Sequence, residues 1–259
     1  MAMRMPASHV AKADLKMEEE KSSGLATFVL VHGAWQGGWC WKRVAPLLRH
    51  LGHEVLTPTL TGLGERAHLM DPSIDLEMHL QDILGVIESE ELSDIVLCGH
   101  SYGGMVITGV ADNVPDQVRS LVYLDALLPA DGQSVMDLLP AEAVSGYRQT
   151  ASEKGSGYRI APTPAEAFAV NLQDQAWVDR RSVDQPLQTF EQPIRLQGAW
   201  KQVLRHGSIR ATGWSPGLPK TSFEKARRET SWQEFSVDCG HYVMVDAPRE
   251  LMEILISFA

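Results

Sequence analysis

A chain of 259 residues with 44% apolar content can bury one sizeable core. Its 23 basic residues against 33 acidic ones leave a net charge of −10, which argues for a soluble protein with no nucleic-acid partner. Three scattered cysteines, Cys40, Cys98 and Cys239, form no C-x-x-C pair and no disulfide framework, so a reducing, cytoplasmic compartment is expected.

Residues 1–24 carry Lys12, Asp14, Lys16 and the run Glu18 to Lys21, with no apolar core of roughly 7–15 residues. They read as a flexible polar tail rather than a secretory signal. No apolar run approaches the ~18 residues that a membrane span needs, so no membrane partner is expected.

Leu25 to Val31 reads as a buried strand that runs into the glycine-rich loop from His32 to Trp41. Such a loop frees backbone N–H groups at the C-terminal edge of a sheet, where open α/β sheets bind ligands. A helix follows with Trp41, Val44, Leu47, Leu48 and Leu51 on one face, and Gly52 ends it. Glu54 to Thr57 is a short strand, and Pro58 to Leu69 a loop. Ile74, Leu76, Leu80, Ile83, Leu84 and Ile87 trace a second amphipathic helix.

Ile95 to Cys98 is then a buried strand, and Gly99-His100-Ser101-Tyr102-Gly103 is a G-x-S-x-G turn. Met105, Val106, Ile107 and Val110 give the next helix its apolar face. A serine on such a turn points its hydroxyl out of the sheet, and glycines on either side leave room for strand and helix backbones. The helix N-terminus behind it adds positive potential where an oxyanion forms.

Val118 to Leu124 is another buried strand, ending at Asp125. From 130 to 202 the regular alternation gives way to prolines, glycines and irregular apolar clusters, which predicts an inserted cap between two core segments, 25–129 and 203–259. Gly207 to Thr212 and Trp232 to Val237 read as strands, Phe223 to Glu229 and Pro248 to Phe258 as helices. The alternation of β and α with buried strands implies an α/β fold with a doubly wound, mostly parallel sheet.

A nucleophilic serine needs a base, an orienting acid and oxyanion donors. Of nine histidines, His241 stands between the last strand and the last helix, at the same sheet edge as Ser101. His32 and His100 lie inside the motifs, where bonding to loop backbone suits them; His50, His53, His68, His79 and His206 read as surface or capping residues. The loop after the cap is the usual place for the acid, yet Arg205 to Phe223 contains no Asp or Glu. Asp125 is therefore the expected acid, with Asp238 the alternative on the histidine's own segment. The backbone N–H groups of Ala34 and Tyr102 are the expected oxyanion donors. His32, Gly33, Trp35 and Trp177 are expected to line the substrate pocket.

Phe28 to Trp39, Thr57 to Arg66, Gly99 to Gly104, Leu121 to Ala126 and Gly240-His241 together resemble the α/β-hydrolase superfamily. More narrowly, they resemble the branch of hydroxynitrile lyases, plant methylesterases and small bacterial esterases. The resemblance implies a serine hydrolase that cleaves a small ester through an acyl-enzyme, with no metal and no cofactor; the large apolar residues of 130–202, Phe168 and Trp177 among them, are what make that ester mainly apolar by expectation. Lyase members carry a threonine after the first-strand histidine and a lysine after the catalytic one; here those positions are Gly33 and Tyr242. Two other readings stay open: a non-catalytic small-molecule receptor on the same fold, and lyase-type C–C cleavage. A homodimer stays open as well.

Overall fold

The computed structural model describes residues 24–214 and 231–259. Nearly all of the expected tail, and the helix expected at Phe223 to Glu229, lie outside the described residues. Six strands form one sheet: β1 (Thr27–Val31), β2 (Glu54–Leu56), β3 (Ile95–His100), β4 (Val118–Leu124), β7 (Arg205–Ala211) and β8 (Trp232–Val237). Their spatial order is β2-β1-β3-β4-β7-β8, and every neighbouring pair is parallel. The order reverses direction next to β1, so β3 and β4 run through the centre.

Alternation along the central strands explains why both faces are covered. Val29, Val31, Leu97 and Tyr123 enter one apolar cluster, whereas Phe28, Leu30, Cys98 and Val122 enter the other. A strand with no polar face must be buried on both sides, and parallel sheets meet that need with helices on each face. Helix α1 (Ala45–His50) packs with the second cluster; α2 (Leu76–Ser89) and α3 (Gly103–Asn113) pack with the first. The Asp75 side chain caps α2 by accepting from Met78 N–H at 2.9 Å.

Some expectations shift. The helix expected from Trp41 onward is a 3-10 turn, Gly38–Arg43, followed by α1. Trp41, Val44 and Leu48 are buried as expected, but Leu51 is exposed because the helix has ended. Three histidines expected near the surface are buried: His53, His79 and His206. Each has a backbone partner that makes burial tolerable: Ala26 N–H onto His53, the Thr61 carbonyl for His79 and the Trp200 carbonyl for His206.

Residues 130–202 leave the main sheet after β4 and return at β7. They contain the helices Ala141–Lys154 and Leu172–Asp179 and a two-stranded antiparallel pair, β5 (Arg159–Ile160) and β6 (Gln185–Pro186). Trp35 ties this stretch to β1: its backbone N–H donates to the Gln185 side chain at 2.9 Å, its indole N–H donates to the Ile160 carbonyl at 3.1 Å, and its carbonyl accepts from Val183 N–H.

Candidate active site

Three non-glycine residues with positive φ stand at the C-terminal ends of three adjacent strands. Trp35 follows β1 at φ +64°, Ser101 follows β3 at +54°, and Asp125 follows β4 at +40°. Left-handed backbone is costly for side chains with a Cβ, and it persists where the surroundings over-determine it. At Ser101 they do. Its N–H donates to the Leu124 carbonyl, and its carbonyl accepts from both Gly104 and Leu127 N–H at 3.0 Å. A Cβ on Gly103 would meet the His32 carbonyl oxygen at 2.8 Å, so the turn closes only around glycine. Ser101 itself remains partly exposed.

Asp125 is pinned through its own N–H to the Ile209 carbonyl at 2.7 Å. Its side chain is 6% exposed and its Oδ2 lies 2.6 Å from His241 Nδ1. A carboxylate only accepts, so Nδ1–H is the donor, and Nε2 is the ring nitrogen left free of Asp125. A second donor reaches the same oxygen: the indole N–H of Trp214 at 2.8 Å. Ala211 N–H approaches Oδ1 at 3.4 Å. Asp238 is exposed, and its carboxylate lies 3.5 Å from the Thr212 hydroxyl rather than against the histidine.

The backbone of His241 is held from two sides. Its N–H donates to the Phe168 carbonyl at 2.9 Å, and its carbonyl accepts the Nε2–H of His100 at 2.9 Å. The His100 ring lies 4.5 Å from the His241 ring between centroids. Burial, and then the neighbouring His241, hold His100 far below the ordinary imidazole range, so it stays neutral. Among the described residues its Nδ1 has no partner. Phe168 and Trp214, both half-buried, contact the His241 ring at 5.2 and 4.6 Å.

Gly33 lies against this centre. A Cβ there would stand 3.0 Å from Ser101 Cβ and 2.8 Å from His100 Nδ1. The threonine of lyase-type relatives has no room at this position. Tyr242 stands where those relatives carry a lysine; it is 2% exposed and its ring packs on His100 and Phe168. Neither the Ala34 nor the Tyr102 backbone N–H has an acceptor among the described residues. The Tyr102 hydroxyl turns away from the serine and donates to His79 Nδ1 at 2.9 Å.

Three expected pocket residues are engaged elsewhere. His32 is wholly buried; its Nδ1–H donates to the Gly33 carbonyl and its Nε2 accepts from Leu60 N–H, so both nitrogens are spent on loop backbone. Burial lowers it to about 4, and it stays neutral. Trp35 is 5% exposed, with its polar groups spent on residues 160–185 and its ring against Tyr147, Phe168 and Phe190. Trp177 stacks edge-on against Trp39, with Arg43 and Arg181 over its ring. The residue beside His241 that reading the sequence missed is Trp214. Trp214 had a visible signal: it is the one indole in a loop that lacks the usual acid.

Among the described residues no group of three or more His, Cys, Asp or Glu is placed to hold a metal ion. Among them, too, no helix is long and apolar enough to cross a membrane.

The chain is 49% identical over 241 residues to a carbendazim hydrolyzing esterase of Nocardioides sp. (strain SG-4G), spanning 90% of this chain and 99% of that one. It is 26% identical over 269 residues to esterase PIR7B of Oryza sativa subsp. japonica, spanning 93% and 98%. A solved extracellular alpha/beta-hydrolase from a Paenibacillus species, described as sharing structural and functional homology with tobacco salicylic acid binding protein 2, matches with a TM-score of 0.80. It is 25% identical, over 90% of this chain and 99% of that one. The alpha/beta hydrolase family itself matches residues 28–254. Parallel sheet, strained serine turn and relatives agree: this chain belongs to the α/β-hydrolase family.

Proposed function

We propose that the protein hydrolyses a small, uncharged ester with Ser101 as nucleophile, His241 as base and Asp125 as the orienting acid. The hydrogen bond between Asp125 and His241, beside a serine on a strained strand-to-helix turn, is the observation that carries this reading. His241 Nε2 takes the proton from Ser101 Oγ as the oxygen attacks the carbonyl carbon. Negative charge collects on the carbonyl oxygen, where the Ala34 and Tyr102 N–H groups receive it. The imidazolium that forms is stabilised by Asp125 and gives its proton to the leaving alcohol. Water, deprotonated by the same nitrogen, then releases the acid and frees Ser101.

The half-exposed rings of Phe168 and Trp214 beside His241 favour a substrate with a flat apolar group. Similarity to an esterase named for carbendazim supports testing that compound beside simple aryl esters. We assign residues 130–202 as a cap over the core of 25–129 and 203–259, with 1–24 as a tail. The unpaired Cys40, Cys98 and Cys239 suit a cytoplasmic setting.

A fluorophosphonate probe tests the central claim, because it bonds covalently only to an activated serine. Labelling of the protein and its loss in Ser101→Ala are expected, with hydrolysis lost alongside. Ester turnover that survives in Ser101→Ala would remove the assignment and favour another group in the site.

A further inference from the structure

The loop after β7 holds no carboxylate between Arg205 and Phe223, yet it delivers Trp214 onto the carboxylate that stands in for one. The Asp125 side chain is nearly closed to solvent, and a buried charge needs donors to be tolerated. His241 Nδ1–H satisfies part of that need at 2.6 Å. The indole N–H of Trp214 satisfies more, at 2.8 Å on the same oxygen. An indole N–H neither titrates nor competes for the proton, so it shares the charge without changing which atom the imidazole bonds. The Trp214 ring also lies 4.6 Å from the His241 ring at a tilt of 40°, which restricts its rotation.

We infer that Trp214 is a positioning residue of the hydrolytic machinery: its indole N–H fixes the Asp125 carboxylate in the orientation that grips His241, replacing the acid that this loop does not carry. The inference rests on the triad proposed above. It adds a residue that acts through Asp125, not one that touches substrate.

Other titratable groups face the pair. His100 comes from the serine turn, and Tyr242 and Cys239 from the histidine's own loop. Burial keeps His100 neutral, pushes Tyr242 up and pushes the Cys239 thiol up to about 12, so none of the three titrates alongside the base. Removing the indole donor frees the carboxylate to turn from Nδ1, so the imidazolium has less support. The protonated, inactive base then gives way at lower pH.

The test is Trp214→Phe, which keeps an aromatic ring and loses the N–H along with part of the indole's bulk. On a small acetate ester, kcat should fall by about 10- to 100-fold with KM within about twofold. The acid limb of the kcat/KM profile should move toward lower pH by about half a unit or more. In an Asp125→Asn background the same change should add almost nothing, because both act through one carboxylate.

An unmoved limb with kcat within about twofold of the parent overturns the inference and leaves Ser101-dependent hydrolysis standing. A rise in KM alone makes Trp214 a pocket wall and overturns it too, as does a full additional loss in the double variant. A measurement on the unsubstituted protein guards against misfolding of the variant. The Trp214 indole proton should exchange slowly with solvent, and its NMR resonance should move in Asp125→Asn; free exchange contradicts the contact.

Discussion

Asp125 Oδ2 and His241 Nδ1 lie 2.6 Å apart, although 116 residues separate them in the chain. Asp125→Asn keeps the shape of the side chain and loses its charge. It should cost up to ~10⁴-fold in kcat with the fold intact, because the amide no longer selects the useful tautomer or supports the imidazolium. Asp238→Asn, at an exposed carboxylate on the Thr212 side, should leave kcat within about threefold. Steady-state kinetics of the two purified variants decide the matter; the reverse ranking would transfer the acid to Asp238.

Gly33 has no side chain because Ser101 and His100 already occupy the space. Gly33→Ala places a carbon 3.0 Å from Ser101 Cβ and 2.8 Å from His100 Nδ1. Relieving that contact displaces either the nucleophile or the ring that tethers His241. A loss of about tenfold or more in kcat is expected, with about 1–3 kcal/mol of destabilisation from overpacking. A variant with parental kcat and melting temperature would show that the strand end yields freely.

Acid should weaken the fold through two buried rings. Burial lowers His32 and His79 from the ordinary 6.5 to about 4. The unfolded chain therefore binds protons on these rings at higher pH than the fold does. Their contribution is whole above about pH 6.5 and is lost as the pH falls toward about 4, each ring accounting for up to about 3 kcal/mol. Urea midpoints at about pH 7 and about pH 5 give the check. A midpoint that holds steady or rises on acidification contradicts the burial of neutral rings.

Phe168 meets His241 twice, with its ring 5.2 Å from the imidazole and with its backbone carbonyl on the His241 N–H. Phe168→Ala therefore removes the wall and keeps the tether. KM for benzyl or aryl esters should rise by about tenfold, and that for acetates of small alcohols by less than about threefold. Equal changes for both classes would assign Phe168 to the packing of residues 130–202 alone.

Much of this was legible in the chain. β4 and β8 have the bounds that their residues predict, Val118–Leu124 and Trp232–Val237, the former because the apolar run from Leu121 to Leu124 fits a doubly covered strand. Asp125 was reached by elimination, since the loop after the cap has no acid to offer. What stayed hidden depends on contacts between distant backbone groups. Gln185 takes the Trp35 N–H across 150 residues, which turns an expected pocket tryptophan into an anchor. His32 has the same history: a histidine after a strand reads equally well as ligand or as loop pin until Leu60 is seen beside it. Trp214 could be seen in the sequence, but its direction could not.

The loop that carries His241 is latched to residues 168–169. His241 N–H is held by the Phe168 carbonyl at 2.9 Å, and a Cβ on Gly240 would stand only 2.2 Å from the Ala169 carbonyl oxygen. Any guest bulky enough to lift 168–169 must drag on the loop that carries the imidazole. An oversized ester is then expected to lodge in the site and disarm it. Size selection by this enzyme should accordingly read as a collapse in kcat with binding retained, an ester acting as its own slow inhibitor rather than one turned away at the entrance.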